Sequence, residues 1–305
     1  MSRIADVDVR LLRIFKAVVE AGGFAAAQTV LNTSTSTISL HMSELEKRLG
    51  FTLCKRGRGG FALTDRGYLV YQRAKKLLHT LDDQFANMHS LRKRLTGRVR
   101  IGVVDSLITH PNAPLIPALQ KFNTLDNEVE LQLLVDERSE LERRVLTNDL
   151  HAAITPYVRP VAGLEFHSLL IEYHKLYCGK GHPLFGHEAR VDQTITEHPF
   201  VLRSHHGPAD EERFTDMSVR ATANNMEAML TLLLTGQYIG LLPDHLAASY
   251  VAAGRLWRLQ APHLEQESRH ALVVPRKLDI STALATLIPL ILAEVGQTQT
   301  LETPA

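Results

Sequence analysis

Between Phe24 and Gly67 the chain reads FAAAQTVLNTSTSTISLHMSELEKRLGFTLCKRGRGGFALTDRG, and the side chains able to do chemistry crowd into two parts of it. Ser34, Thr35, Ser36, Thr37, Ser39 and His41, with Leu40 among them, form a run of short donors and acceptors. Lys55, Arg56 and Arg58 stand in a loop with Gly57, Gly59 and Gly60. Hydroxyls that donate or accept suit base edges in a major groove, and a flexible cationic loop suits phosphates or a narrow minor groove. The chemistry on offer is recognition of a polyanion.

Such a run needs helices to present it. Val9, Leu12, Phe15, Val18 and Val19 recur at helical spacing between Asp8, a candidate N-cap, and the Gly22-Gly23 break. A short, small-faced helix from Ala25 to Leu31 lets another cross it closely, and Thr33 or Ser34 offers a cap for that next helix. From Thr35 to Leu49, Ile38, Met42, Leu45 and Leu49 point inward, which leaves Thr35, Ser36, Thr37, Ser39, Leu40 and His41 facing away from the core. Gly50 stops this helix, and Phe51–Leu53 and Phe61–Leu63 read as two short strands flanking the cationic loop. Each feature alone has a plainer explanation, since any small helical domain has hydroxylated caps and a solvated basic turn. Their order along the chain favours a winged helix-turn-helix over residues 1–64.

At these residues the chain resembles the LysR-type transcriptional regulators. That family's pattern stands here as Leu11 to Phe15, Phe24 to Ala27, the hydroxyl-rich Ser34 to Ser39, Leu45-Glu46 with Leu49-Gly50, Leu53 to Arg56, and Leu63-Thr64 with Gly67. The resemblance places base reading and phosphate contact on Ser34, Thr35, Ser36, Thr37, Ser39, Leu40 and His41, with Arg56 and Arg58 in the wing. Three departures stand out. The family commonly has Gln or Pro where Thr35 and Ser36 stand, often Arg in place of Leu40, and an aromatic in place of Cys54. A small thiol there is expected to pack as an apolar filler.

Charge is divided along the 305 residues. Residues 1–97 hold 16 Lys and Arg against 8 Asp and Glu, a net of +8, whereas residues 98–305 hold 18 against 25, a net of −7. A basic head on an acidic body suits a chain whose head alone meets DNA. The two cysteines, Cys54 and Cys178, are far apart; with no signal-like segment and no apolar run long enough to span a bilayer, a cytoplasmic location is expected. A long helix is expected over residues 65–97. Tyr71, Leu78 and Phe85 form one seven-residue series, and Ala74, Leu81, Met88 and Leu95 form another, with Gly97 as the stop and Arg92 interrupting the first series. One narrow apolar stripe between charged faces predicts a dimerisation seam.

Beyond it the pattern becomes α/β. A strand at Arg98–Val104, a helix at Pro111–Phe122, a strand at Val129–Val135, a helix at Arg138–Leu146 and a strand at His151–Thr155 predict a parallel sheet with right-handed crossovers. A second unit begins near Glu165, with strands at Leu176–Cys178, Phe200–Leu202 and Tyr238–Leu241 and helices at Asn225–Leu234 and Pro243–Ala253. Ala271–Val274 returns to the first unit, and a helix over Ser281–Val295 closes it. The family resemblance continues at Gly181–Leu184, Thr235–Ala247 and Gly254–Leu256. It implies a periplasmic-binding-protein-like effector domain over 98–295, with lobe I at 98–160 and 269–295, lobe II at 161–268, a hinge at Tyr157–Pro160 and Leu264–Arg269, and a disordered tail at 296–305. The expected fold is therefore α/β, with an N-terminal all-α winged helix-turn-helix, a long linker helix and a two-lobed effector domain.

A ligand in such a fold lies between the lobes, beyond the carboxyl ends of the strands. Asp105, Ser106, Thr155, Ser204, His205 and Asn224 occupy those places, with Ser106 expected to begin the first-lobe helix; plain capping would also explain Ser106 and Asn224. Seven histidines between His167 and His206 raise metal binding, but no pair has ligand spacing, so no metal and no cofactor are expected. Nucleophile-elbow, Walker, dinucleotide and zincin motifs are all missing, so no catalytic residue is assigned and the chain is not expected to be an enzyme. A solute-binding protein would share the body but lack the basic head. The expected function is sequence-specific DNA binding modulated by a small-molecule effector of unknown identity. The expected partners are double-stranded DNA carrying an interrupted inverted repeat, RNA polymerase if the protein activates, and the chain itself as a dimer and, by resemblance, a tetramer.

Overall fold

The computed structural model describes residues 5–55, 60–90, 95–187, 195–204, 213–276 and 281–295. The chain divides into two compact units, residues 1–92 with 147–149, and residues 93–146 with 150–305. Among the described residues no single helix is long and apolar enough to cross a membrane.

The first unit contains α1 (Asp6–Glu20), α2 (Phe24–Leu31), α3 (Thr35–Leu49), the two-residue strands β1 (Cys54–Lys55) and β2 (Ala62–Leu63), and α4 (Asp65–Ser90). Leu11, Phe15 and Val18 of α1 bury against Ala27 of α2 and Ile38, Met42 and Leu45 of α3; Phe15 and Val18 are as expected, whereas Leu11 takes an inner place and Val9, Leu12 and Val19 are half-buried at the edges of that face. Asp8 does not cap α1. The N-cap is Ala5, and Asp8 lies inside the first turn, where its carboxylate accepts from the Ala5 N–H at 2.8 Å. The same carboxylate takes both nitrogens of Arg48, at 2.5 and 2.9 Å, tying the end of α3 to the start of α1; that side-chain pairing holds the Asp8 pKa below its ordinary value. β1 and β2 pair antiparallel, Cys54 opposite Leu63 and Lys55 opposite Ala62, later and shorter than the strands read from sequence because the chain up to Leu53 is held instead by a side chain. Glu46 Oε1 accepts from the Leu53 N–H at 2.7 Å. Cys54 is buried in the same core.

α4 is the long helix, but it does not reach Leu95. Leu95 opens a strand and Gly97 lies within it, with φ of +100°, so neither belongs to the helix or to its seam. Arg92 falls outside the described residues. Ala74 and Leu78 are buried within the chain, whereas Phe85 and Met88 are 63% and 61% exposed. The stripe therefore changes its role along the helix: its first half serves the subunit's own packing and its second half is open.

The second unit is built on one sheet in the order β4-β3-β5-β11-β6-β9-β7-β8, with β10 also pairing β6. β3 (Leu95–Val103) runs parallel to β4 (Asn127–Val135) and β5 (Ala152–Pro156), the expected βαβαβ arrangement with α5 (Leu115–Asn123) and α6 (Arg138–Leu146) as crossovers. The helices pack Phe122, Ala118, Leu141 and Val145 onto the sheet, and α9 (Thr282–Ala293), capped by Ser281, returns to add Leu284, Leu287 and Ile291. Fully burying such side chains contributes roughly 1.5–3 kcal/mol each.

The hinge differs from the expectation. Tyr157–Pro160 is not a crossing strand; the chain crosses through β6 (Leu164–Gly179) and β11 (Gln266–Pro275), which pair antiparallel from Leu164 opposite Pro275 to His174 opposite Gln266. The far end of β6 then pairs with β9 (Ile239–Pro243) and with β10 (Leu256–Leu259). The expected short strand Leu176–Cys178 is only the tail of this 16-residue element. β7 (Phe200–Arg203), β8 (Val219–Ala223), α7 (Met226–Leu234) and α8 (Asp244–Ala252) complete the second lobe. His182, in the turn after β6, accepts the Leu184 N–H on Nδ1 at 3.2 Å, and burial beside His198 pushes its pKa down to about 4, so it stays neutral there.

Candidate nucleic-acid interface and interlobe cleft

α3 carries the hydroxyl run on its N-terminal turns because Ser34 caps it, its Oγ accepting from the Thr37 N–H at 3.2 Å. Ser34 Oγ also lies 2.8 Å from Ser36 Oγ and 2.9 Å from Thr37 Oγ1, and Gln28 of α2 donates to Thr35 Oγ1. Thr35 is thereby partly engaged, while Ser34, Ser36 and Leu40 are exposed, Leu40 at 67%. Thr37, Ser39 and His41 are half-buried along the same stretch. A helix N-terminus with an exposed hydroxyl cluster offers unpaired N–H groups and rotatable O–H groups to a phosphate backbone and base edges. Arg56 and Arg58 lie outside the described residues, between the paired strands β1 and β2.

α4 fixes this arrangement from below. Thr64 caps it, Oγ1 accepting from the Gly67 N–H at 2.9 Å, and the Thr64 N–H donates to Leu53 O at 3.0 Å. The Gly67 backbone sits so close to Leu53 that a Cβ would stand 1.9 Å from Leu53 O.

In the second unit the six expected cleft residues separate. Asp105 follows β3, and its carboxylate accepts from the Met226 N–H at the start of α7, with Arg203 Nη2 at 3.6 Å from its other oxygen. It ties the first lobe to the second, a carboxylate at a helix N-terminus. Ser106 is not at the start of the first-lobe helix. It holds the left-handed conformation, φ +63°, ahead of a single 3₁₀ turn at Leu107–Thr109, and its side chain makes no cap hydrogen bond; α5 begins only at Leu115. The intervening Pro111 and Pro114 delay the helix. Thr155 is fully buried in β5, and its Oγ1 has no hydrogen-bond partner among the described residues. A buried hydroxyl left in that state costs about 1–3 kcal/mol, so a pairing group is called for. Ser204 and Asn224 are exposed, the Ser204 N–H donating to Ala223 O at 2.8 Å. Asn225, not Asn224, caps α7, accepting from the Ala228 N–H at 2.7 Å. His205 lies outside the described residues.

Sequence alone did not reveal a buried polar cluster on the crossing strands. Glu172 of β6 sits 2.6 Å from His174 Nε2 and 2.8 Å from His245 Nε2 of α8, with His270 of β11 at 4.0 Å. Burial would push the Glu172 carboxyl up, but hydrogen bonds from His174 and His245 outweigh it and hold the pKa well below the carboxylate range. Beside the cluster opens a cavity of about 1100 Å³, lined among others by His110, Asn112, Tyr173, Asp244 and His245. Among the described residues no group of three or more His, Cys, Asp or Glu is arranged to hold a metal ion.

Two family models together match most of the chain. Residues 9–68 match the bacterial regulatory helix-turn-helix protein of the lysR family, and residues 92–296 match the LysR substrate binding domain. The chain belongs to the LysR family of transcriptional regulators. It is 40% identical over 260 residues to the HTH-type transcriptional activator BauR of Pseudomonas aeruginosa, covering 84% of this chain and 85% of that one. The SDS degradation transcriptional activation protein of a Pseudomonas species is 28% identical over 302 residues, 95% and 97% of the two chains. In fold the chain is similar to full-length CbnR in complex with its target DNA, with a TM-score of 0.69 at 18% identity over 95% of this chain and all of that one. CbnR without DNA gives 0.70 at 20% identity, over 95% and 99%. The protein is thus a LysR-type regulator with an N-terminal helix-turn-helix DNA-binding domain and a C-terminal substrate-binding effector domain.

Proposed function

We propose that this LysR-type regulator is a cytoplasmic transcriptional activator without enzymatic activity. It reads an interrupted inverted repeat with the exposed face of α3 in two copies paired through the distal half of α4. Residues 1–64 form the DNA reader, 65–97 the linker, and 98–295 the effector domain. Ser34, Ser36, Thr37, Ser39 and His41, with the wing arginines Arg56 and Arg58, meet the DNA, and four subunits assemble through the effector domains. Activation follows the printed function of the two relatives and makes RNA polymerase the downstream partner. The observation that carries DNA reading is the capped, hydroxyl-rich N-terminus of α3, followed in sequence by a cationic run, in a head of net charge +8.

The effector is held between the lobes by the Ser106 turn, Thr155, Ser204, His205 and Asn224. Asp105 closing on the N-terminus of α7 beside Arg203 supports a polar or anionic ligand, because an acidic group of the ligand can take over both partners of that carboxylate. Replacing Ser106 with Phe fills the turn. In a thermal-shift screen of small metabolites, a compound that raises the melting temperature of the wild-type chain is expected to leave Ser106→Phe unmoved, while DNA affinity stays within about threefold because binding and coupling are separable. Ser106→Asn, which accepts the left-handed backbone, controls for strain. A compound that stabilises all three proteins equally binds elsewhere and removes Ser106 from the site.

A further inference from the structure

The Thr109 hydroxyl has more neighbours than it has protons. Its Oγ1 lies 2.9 Å from Ser106 O and 2.7 Å from His245 Nδ1. A hydroxyl carries one hydrogen and a carbonyl oxygen only accepts, so both contacts are hydrogen bonds at the same time only when Nδ1 bears a proton. His245 Nε2 faces Glu172 Oε1 at 2.8 Å, and an ionised carboxylate also only accepts. The complete chain, Glu172 to His245 to Thr109 to the Ser106 carbonyl, therefore requires the doubly protonated imidazolium. With a neutral ring, Nε2 keeps its proton for Glu172, the Thr109 hydroxyl must turn to give its hydrogen to Nδ1, and Ser106 O loses that donor.

The elements joined are informative. His245 stands in the first turn of α8 in the second lobe, Glu172 on the crossing strand β6, and Thr109 at the end of the 3₁₀ turn that follows Ser106 in the first lobe. The His245 and Glu172 side chains are 5% and 6% exposed, so the pair is shielded from water and from salt. Other charges facing the ring are accounted for. His174, on β6, shares the second Glu172 oxygen, and Asp244 is paired with Lys175 at 2.7 Å. His110, edge-on to His245 with ring centroids 4.9 Å apart, accepts the Asn112 N–H on Nδ1 and faces Ile171 O through Nε2; burial holds both His110 and His270 below the ordinary histidine value.

We propose that Glu172, His245 and Thr109 form a proton-dependent latch between the lobes: when charged, His245 donates to Thr109 and leaves its hydroxyl on the Ser106 carbonyl, and when neutral it draws that hydroxyl onto Nδ1, so that the Ser106 carbonyl keeps only the Thr109 N–H and the turn is loosened. The regulator then senses protons as well as its ligand, because the latched turn is the one assigned to the effector; that last step rests on the function proposed above, the latch itself does not. Glu172, His245 and Thr109 are positioning residues that act through the turn.

Hydrogen–deuterium exchange of the full-length chain without effector tests it. The Thr109 and His110 amides donate to Ser106 O and Leu107 O at 3.1 Å each, so the peptide spanning residues 106–112 reports the turn. After correction for intrinsic exchange, this peptide is expected to exchange about tenfold faster at pH 8.5 than at about pH 5.5 in the wild type. Thr109→Val, at an exposed position and isosteric, is expected to exchange at the faster rate throughout, with an unchanged melting curve. Glu172→Gln removes the charge that favours the imidazolium and is expected to move the transition to lower pH. A corrected rate that is flat with pH in the wild type, a Thr109→Val profile that follows the wild type, or an unmoved transition in a folded Glu172→Gln protein would overturn the latch. None of these outcomes bears on where the effector binds, so a failed latch leaves the cleft assignment standing.

Discussion

Replacing Phe85 with Asp is expected to convert the proposed dimer to monomers and lower affinity for the full operator by about 10²–10⁴, the loss that follows when two linked reading heads become independent. Phe85 is 63% exposed and Met88 61% exposed on the distal half of α4, three residues apart on one face, and Leu81 lies half-buried one turn earlier. An Asp at the centre of a helix–helix seam must be desolvated or the seam must open, at a cost of several kcal/mol. Because Phe85 is largely exposed and outside the core of this unit among the described residues, the melting curve of the DNA-binding unit is expected to hold. The same substitution at Leu78, buried within the chain, disturbs folding instead and is a poor probe of assembly. Light scattering beside a gel-shift titration checks the prediction; an unchanged mass for Phe85→Asp places the dimer contact elsewhere.

Gly67→Ala is expected to destabilise the DNA-binding unit by about 3 kcal/mol, lowering its melting temperature by roughly 15 °C. The added Cβ would stand 1.9 Å from Leu53 O, a backbone atom that cannot rotate away. Relief requires α4 to lift from the turn that precedes the wing, which breaks the Thr64 N–H to Leu53 O hydrogen bond and disturbs the seat of Leu53 in the core. The helix-turn-helix loses its floor and specific DNA binding goes with it, while thermal unfolding of the effector domain is unaffected. Circular dichroism melts that superimpose on the wild type would show that the turn yields without cost.

Much of this was legible in the sequence, for physical reasons that differ by element. The bounds of α3 were legible because Ile38, Met42 and Leu45 recur at three and four and its stop is a glycine in the left-handed region; the cap, open between Thr33 and Ser34, is Ser34, and Leu49, expected inward, is exposed because it lies in the last turn, at the edge of the core. The βαβαβ half of the effector domain was legible because its strands are apolar runs bounded by turn residues. β6 was not. Glu165, Glu172, His167 and His174 break its apolar run, and in the fold Glu172 and His174 are buried against each other and against His245, a pairing that no local pattern announces. The hinge that the resemblance implied at Tyr157–Pro160 and Leu264–Arg269 falls on a strand only in its second half, where Gln266–Arg269 begin β11. Leu95 fitted a heptad by period alone, yet it pairs with Asn127 across a parallel ladder, where tertiary context overrides periodicity. Asp8 is a favourable N-cap by type, but the helix starts three residues earlier because its carboxylate is drawn into pairing with Arg48. At the expected cleft two local roles differ from the reading: Asp105 is a tie to α7, and Ser106 is a strained turn rather than a cap.

Selection of binding sites from a random duplex pool, run on the wild type and on Ser39→Arg, tests the central claim most directly. The wild type is expected to return an interrupted inverted repeat whose half-sites are centred about one helical turn, or a whole multiple of it, apart. Ser39→Arg is expected to keep that spacing, because the pairing of subunits is untouched, and to change the base preferred within each half-site, because an arginine on this face of α3 reaches guanine in the major groove. A single asymmetric half-site from the wild type, or an identical motif from Ser39→Arg, would contradict a regulator that reads DNA with paired copies of α3.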